Sequence, residues 1–264
     1  MLPAPFSLGG LGLVETEKNR GWFPLSVTTV ETLGLRWVSL YNQFLDFLFP
    51  PRCVGCGRVG AWLCPDCLAQ IPRVKPPFCT RCGDAVTTPG LCARCQVAPL
   101  EIDRIRSAVY FEGALRHAMH WLKYRRRTAL AVPLGGLMAE YWEQHPMPAD
   151  VLVPVPLHAD RLRTRGYNQA ALLAREMARR LGLAVEEQTL LRCRATSSQV
   201  KLDARQRKQN VHGAFVCSGD GLAGKRVLLI DDVCTTGATL EACTIALRAG
   251  GARQVQALTL ARAL

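Results

Sequence analysis

Two adjacent carboxylates, Asp231 and Asp232, stand directly before the run Thr235-Thr236-Gly237-Ala238-Thr239. Backbone N–H groups and hydroxyls gathered at a helix start suit a phosphate, and the helix dipole adds to the attraction. Carboxylates beside such a cradle suit a polyol, whose hydroxyls donate to them. Together the residue types describe a site for a sugar phosphate. The simpler reading is an ordinary strand-turn-helix whose aspartates merely cap the helix.

Eight of the twelve cysteines supply a second chemistry. They form the Cys-x-x-Cys pairs Cys53/Cys56, Cys64/Cys67, Cys79/Cys82 and Cys92/Cys95. Each spacing lets two thiolates converge on one ion, and two such knuckles complete a tetrahedral zinc site. Gly57 and Gly83 follow two of the pairs and permit the backbone such knuckles require. A disulfide framework suits a secreted chain, and a redox motif needs a surrounding βαβ pattern, so structural zinc is expected. Sequential pairing gives one site from Cys53, Cys56, Cys64 and Cys67 and another from Cys79, Cys82, Cys92 and Cys95. A crossed pairing and a single filled site remain open. Cys193, Cys217, Cys234 and Cys243 show no ligand spacing and are expected to be buried or incidental.

The net charge of +12 is uneven. Residues 1–49 carry three basic and four acidic side chains, and residues 50–264 carry thirty and seventeen. One cluster holds Arg116, Lys123, Arg125, Arg126 and Arg127, a second Arg161, Arg163 and Arg165. A third runs through Arg192, Arg194, Lys201, Arg205, Arg207 and Lys208. A polyanion, pyrophosphate or nucleic acid, is the natural partner of such fields, against the plainer reading of a solvated basic surface.

These groups need elements to hold them. Val227-Leu228-Leu229-Ile230 has the continuous apolar character of a strand buried on both faces of a parallel sheet. It carries the acidic pair to the carboxyl edge, where open α/β sheets place ligands. A helix is predicted over 238–249, with Leu240, Ile245 and Leu247 on apolar positions. Strands are predicted at 105–111, 151–155, 214–216 and 255–260, and helices at 113–123, 129–143 and 168–181. Strands alternating with helices imply a parallel sheet with helices on both faces. Residues 1–29 are rich in Gly and Pro without a period, and Gly9-Gly10-Leu11-Gly12 lacks the preceding strand of a nucleotide loop. Residues 30–48 have helical apolar spacing, and Pro50-Pro51 ends that helix. The expected plan is an N-terminal extension over 1–49, a small four-cysteine-type zinc-ribbon module over 50–99, and an α/β domain over 100–264. No apolar run approaches bilayer length and no secretory leader is visible, so a cytoplasmic protein is expected.

The run Val227 to Leu240 resembles the phosphoribosyl pyrophosphate signature of the type I phosphoribosyltransferases, with Cys234 in place of the usual aliphatic residue. The resemblance implies that Asp231 and Asp232 hold ribose hydroxyls. It implies that Thr235, Thr236, Gly237, Ala238 and Thr239 hold the 5′-phosphate. The wider order of motifs resembles the ComF (ComF/GntX-like) family, which joins a double zinc ribbon to such a domain. That order runs through Leu48 to Cys53, the four knuckles, Leu122-Lys123-Tyr124 and Val153 to His158. It continues with Arg165 to Ala170 and the spaced set Gln199, Leu202, Arg207 and Asn210. By the same resemblance Pro156, Leu157 and His158 form a pyrophosphate loop, with Arg161 and Arg165 as its phosphate contacts. His158 is either a proton shuttle or a packed loop residue. Residues 195–210 correspond to the loop that closes over substrate, where Lys201, Arg205 and Arg207 offer charge.

The ComF resemblance implies natural transformation or DNA uptake, with handling of incoming single-stranded DNA in the cytoplasm. Lys123, Arg125, Arg126 and Arg127 are the candidate backbone contacts. Trp62, Phe78, Trp121, Tyr124 and Tyr167 are candidate stacking platforms, although such aromatics are more often core. Three functions follow from this reading. The first is a DNA-uptake protein that binds phosphoribosyl pyrophosphate with Mg²⁺. The second is a phosphoribosyltransferase with an unidentified acceptor, although the chain ends just after its last strand and a base-selecting hood is missing or replaced. The third is a zinc-ribbon adaptor of the uptake machinery.

Overall fold

The fold is described from a computed structural model of the chain, over residues 50–194 and 204–263. The predicted helix over 30–48 and Lys201 lie outside the described residues.

Five parallel strands form the central sheet. They are β1 (Arg104–Tyr110), β2 (Val151–Pro154), β3 (Ala184–Val185), β6 (Arg226–Cys234) and β7 (Gln254–Arg262), in the order β1-β7-β6-β2-β3. A small antiparallel pair, β4 (Leu190–Arg192) and β5 (Phe215–Cys217), stands apart from it. The strand expected over 227–230 continues through the acidic pair to Cys234, because β7 offers it partners as far as Arg262. Successive residues of β6 enter opposite cores. Leu228 and Ile230 pack on one face with Leu122, Leu134 and Leu173, and Val227 and Leu229 on the other with Leu240, Cys243 and Leu247. That two-sided burial is why the run reads as unbroken apolar sequence.

The first face is covered by α3 (Gly113–Tyr124), α4 (Ala131–Gln144) and α6 (Gln169–Leu181). The second is covered by α8 (Ala238–Ala249) with β4 and β5. Ile245 departs from expectation and is exposed, since it lies on the side of α8 turned away from Leu240 and Leu247. A short helix, α5 (Ala159–Arg165), was not expected; it buries none of its residues and so has no apolar period to betray it. Its ends are set instead by caps, with His158 accepting from the Asp160 amide and Gly166 left-handed at φ 87°. A further helix, α7 (Ala204–Val211), occupies part of the stretch read as a closing loop and carries Arg205 and Arg207 on its backbone.

The cysteine-rich segment precedes β1 and holds two short helices, α1 (Pro65–Ala69) and α2 (Ala93–Val97). It also covers the exposed edge of β1. The amides of Val74 and Tyr110 donate to Ala108 and Pro72 carbonyls, and that of Ile105 to the Arg81 carbonyl at 2.7 Å. An uncovered strand edge invites pairing with other chains, and here the ribbons remove it. Because Leu229 is fully buried in the central strand, Leu229→Ala is expected to lower stability by about 2–5 kcal/mol. Urea unfolding followed by circular dichroism checks this.

Candidate functional site

The acidic pair opens on a cleft of about 660 Å³ at the carboxyl ends of β2 and β6. Asp231 and Asp232 line it with Thr235 and Thr239, opposite Pro156, Leu157, Arg161 and Arg165. Thr236, Gly237, Ala238 and His158 are not part of that lining. Gly237 turns the chain at φ 81°, a conformation that favours glycine, and the Thr236 hydroxyl accepts from the Ala238 amide at 3.4 Å. His158 is occupied as the cap of α5, with its Nδ1 at 3.1 Å from Asp160.

Asp231 and Asp232 are neighbours on a strand and therefore turn to different surroundings. The Asp232 carboxylate is nearly enclosed and forms an ion pair with the Lys123 ammonium, from the last turn of α3. Its Oδ1 also accepts from the Val233 amide at 2.8 Å. Asp231 reaches the cleft but is packed deeply among protein atoms. Burial first, and the neighbouring Asp232 charge second, push its carboxyl up to about 8. At neutral pH Asp231 therefore holds a proton while Asp232 is matched by Lys123. Arg192, from β4, also lines the cleft, and burial followed by the Arg161 charge lowers its pKa.

Lys123 thus sits in the wall of this cleft, although its sequence neighbours place it with the DNA candidates. That basic cluster diverges. Arg126 joins Lys123 in the cleft lining, Arg125 is exposed just past α3, and Arg127 lies over the Trp62 ring at 4.6 Å. Of the candidate aromatics, Tyr124 is exposed at the cleft mouth with the Arg165 guanidinium 5.7 Å from its ring. Trp62 and Trp121 pack together at 6.1 Å, Phe78 lies under Arg106, and the Tyr167 hydroxyl donates to the Leu122 carbonyl. Arg192 counted only as one member of a basic cluster in the sequence, and nothing in its spacing ties it to the aspartates.

The cysteines gather in sequential pairs. Cys53, Cys56, Cys64 and Cys67 form one group, and Cys79, Cys82, Cys92 and Cys95 another, with the sulfurs of each within 4.8 Å of one another. A tetrahedral zinc with Zn–S of about 2.3 Å needs sulfur–sulfur edges of about 3.8 Å. The Cys56–Cys64 and Cys82–Cys92 sulfurs are 3.7 and 3.6 Å apart, so both groups fit that ion. The two sites are built alike. The Cys64 amide donates to Cys53 Sγ and the Cys92 amide to Cys79 Sγ, each at 3.3 Å. Burial opposes ionisation of Cys53 and Cys79, but backbone amides outweigh it and bring both to about 6. Of the other cysteines, Cys234 and Cys243 are buried, Cys217 is half-buried and Cys193 is exposed.

The comparisons with known proteins match these two parts separately. The double zinc ribbon domain family matches residues 44–96, and the phosphoribosyl transferase domain family residues 168–264. The DNA utilization protein YhgH of Salmonella typhi is 36% identical over 209 residues, covering 76% of this chain and 91% of the relative. Competence protein F of Haemophilus influenzae is 30% identical, with 80% and 97% covered. Competence protein ComFC of Bacillus subtilis is 26% identical, with 76% and 84% covered. Among solved structures, the glutamine phosphoribosylpyrophosphate amidotransferase of B. subtilis aligns at 20% identity and a TM-score of 0.38. It covers 54% of this chain and 30% of that one.

Removing one member of the Lys123–Asp232 pair leaves the other in a poorly hydrated place. Lys123→Met and Asp232→Asn are each expected to cost about 1–3 kcal/mol, and the double variant less than their sum. A double-mutant cycle by urea unfolding at pH 7 measures that coupling, and additive losses would count against the pair.

Proposed function

Because the chain belongs to the ComF family, we propose that it binds phosphoribosyl pyrophosphate in this cleft as part of a role in DNA utilization. The observation that carries the reading is the acidic pair on β6 running directly into the Thr235–Thr239 turn at the start of α8. In this reading Asp231 and Asp232 accept the ribose hydroxyls, and the turn takes the 5′-phosphate at the amino end of the helix dipole. Arg161 and Arg165 face the pyrophosphate across the cleft, where guanidinium forks match phosphate oxygens. Mg²⁺ bound with this ligand supplies charge neutralisation of its pyrophosphate. Whatever acceptor is used, the protein's contribution would be placement and electrostatic stabilisation.

The protonation of Asp231 gives this proposal a signature. A ribose hydroxyl donates best to an ionised carboxylate, so binding at pH 7 is expected to release a proton. Affinity then rises with pH until about 8, where Asp231 is already ionised. Ligand-free stability has the opposite slope. The folded state keeps a proton that the unfolded chain loses above the ordinary 3.8, so stability falls between about 3.8 and 8 and levels beyond. Calorimetry in buffers of different ionisation enthalpy reads the released proton. Asp231→Asn with Asp232→Asn is expected to abolish binding, and equal affinity in that variant and the wild type would sink the assignment.

Single-stranded DNA is the second proposed partner. Exposed Tyr124 beside Arg126 and Arg165 at the cleft mouth favours it, since a base stacks on an aromatic face while cations track its backbone. Binding is expected with little sequence preference and steep salt dependence, each neutralised phosphate contributing a slope of about −0.7. Replacing Arg125, Arg126 and Arg127 by Gln is expected to make that slope shallower by about 2 if all three meet phosphates. Lys123 is left in place because Asp232 needs it. Fluorescence anisotropy against salt makes the measurement. A variant that binds like the wild type would remove this face from the footprint.

A further inference from the structure

The two zinc ribbons are alike in their metal sites and unlike in what they touch. In the first, Arg58 pairs with Asp66, both exposed and both inside the ribbon. In the second, the corresponding charges reach out of the ribbon to the loop that follows the acidic pair. Asp84, two residues after Cys82, holds Arg94 at 2.9 Å through Oδ2 and forms an ion pair with Arg262 through Oδ1. Arg94 lies beside Cys95 in α2, and its other guanidinium nitrogen donates to the Thr236 carbonyl at 3.3 Å. Arg262, at the end of β7 and 3% exposed, donates to Cys234 Sγ at 3.0 Å. Cys234 and Thr236 bracket the first turn of the phosphate loop.

Backbone contacts add to this link. Gly83 and Gly237, both left-handed, back onto the same residue of β1. A Cβ on Gly83 would lie 2.7 Å from the Ile105 carbonyl oxygen, and one on Gly237 3.0 Å from Ile105 Cδ1. The chain leaving the second ribbon is held in turn by Glu241, in the first turn of α8, which accepts from the Glu101 and Ile102 amides at 2.8 and 3.3 Å.

We propose that the second zinc ribbon is a positioning element of the phosphate loop, with Arg94 and Asp84 carrying the order of a filled four-cysteine site to residues 234–239. The chemistry is direct. Four thiolates around one divalent ion carry a net charge of about −2. With Asp84 they hold two guanidiniums in place, and those guanidiniums grip the loop from behind. Loss of the ion frees Cys82 and Cys95, moves Asp84 and Arg94 with them, and leaves buried Arg262 without its anchored partner. The loop then loses its rear support while the acidic pair and α3 stay where they are. That zinc controls sugar-phosphate affinity rests on the binding proposal above; that it controls loop order does not.

Hydrogen exchange on the full zinc-loaded chain separates the two. Arg94→Ala and Asp84→Asn ligate no metal, so both are expected to retain two zinc ions per chain by thiolate-release assay. Exchange of the 234–239 amides is expected to rise about tenfold in each, the scale of one charge-assisted hydrogen bond. Arg94→Lys keeps the ion pair but lacks the fork that reaches both Asp84 and Thr236, and is expected to restore protection only in part. Arg58→Ala, in the first ribbon, is expected to leave the loop unchanged. Affinity for phosphoribosyl pyrophosphate with Mg²⁺ is expected to fall about tenfold in parallel. Unchanged exchange at 234–239 in zinc-loaded Arg94→Ala would overturn the proposal. Raised exchange in a protein whose wild type binds no phosphoribosyl pyrophosphate would leave the coupling standing and remove the ligand reading instead. Cys92→Ser, which breaks the site itself, is expected to exceed Arg94→Ala in the same segment; should it unfold the chain, Arg94→Ala decides.

Discussion

Two carboxylates next to each other at the end of a doubly buried strand are expensive to hold, and much of this structure answers that expense. An uncompensated charge in such a place costs several kcal/mol or takes up a proton. Both solutions are used. Period-two alternation sends Asp232 toward the face covered by α3, where Lys123 meets it. It sends Asp231 toward the other face, beside Arg192 and the buried thiol Cys243, where the proton is kept. The strand end is thus asymmetric before any ligand arrives, with one ionised acid and one neutral acid. A ligand that spans both would exchange the proton on Asp231 for hydroxyl donors and leave the Lys123 pair intact.

The ribbons have a place in the same scheme. Cys53, Leu63, Cys64 and Cys67 share a core with Leu115 and Leu122 of α3, so the first ribbon lies under the helix that delivers Lys123. The second lies under the loop that follows the acidic pair and covers the edge of β1 between them. A parallel sheet of five strands leaves its edge strand exposed, and a metal-stapled segment covers it without needing a large core of its own. Both walls of the cleft are therefore backed by cysteine sites.

How far this could be read from the residues depends on the distance over which each feature acts. The β6 strand, the turn at Gly237 and the helix Ala238–Ala249 are local, and their composition announces them. The cysteine pairs are local as spacings, and only the fold decides that they close sequentially. Lys123 looked like one member of a basic run because its tie to Asp232 exists only after α3 packs on the sheet. Arg192 was hidden for the same reason, since β4 is three residues long and has almost no pattern. Helix α5 escaped because it is held by caps and buries nothing. Ile245 misled because an apolar residue at helical spacing does not say which side of the helix is covered.

The strong positive charge becomes more specific once partners are counted. Arg175, Arg180, Arg226 and Arg248 are matched by Glu187, Glu143, Asp150 and Asp103 around the body of the domain. Those pairs are largely exposed and contribute little to stability, but they cancel field at a distance. The cleft is different. Lys123, Arg126, Arg161, Arg165 and Arg192 line it against Asp160, Asp231 and Asp232. With Asp231 neutral near pH 7, the imbalance there grows further. Low-dielectric walls focus such a field toward the opening, raising the local concentration of anions. An evenly basic surface would attract any polyanion along its length. Here the basic side chains that line the cleft draw anions toward the acidic pair, where a phosphate-bearing sugar would satisfy both signs of charge at once.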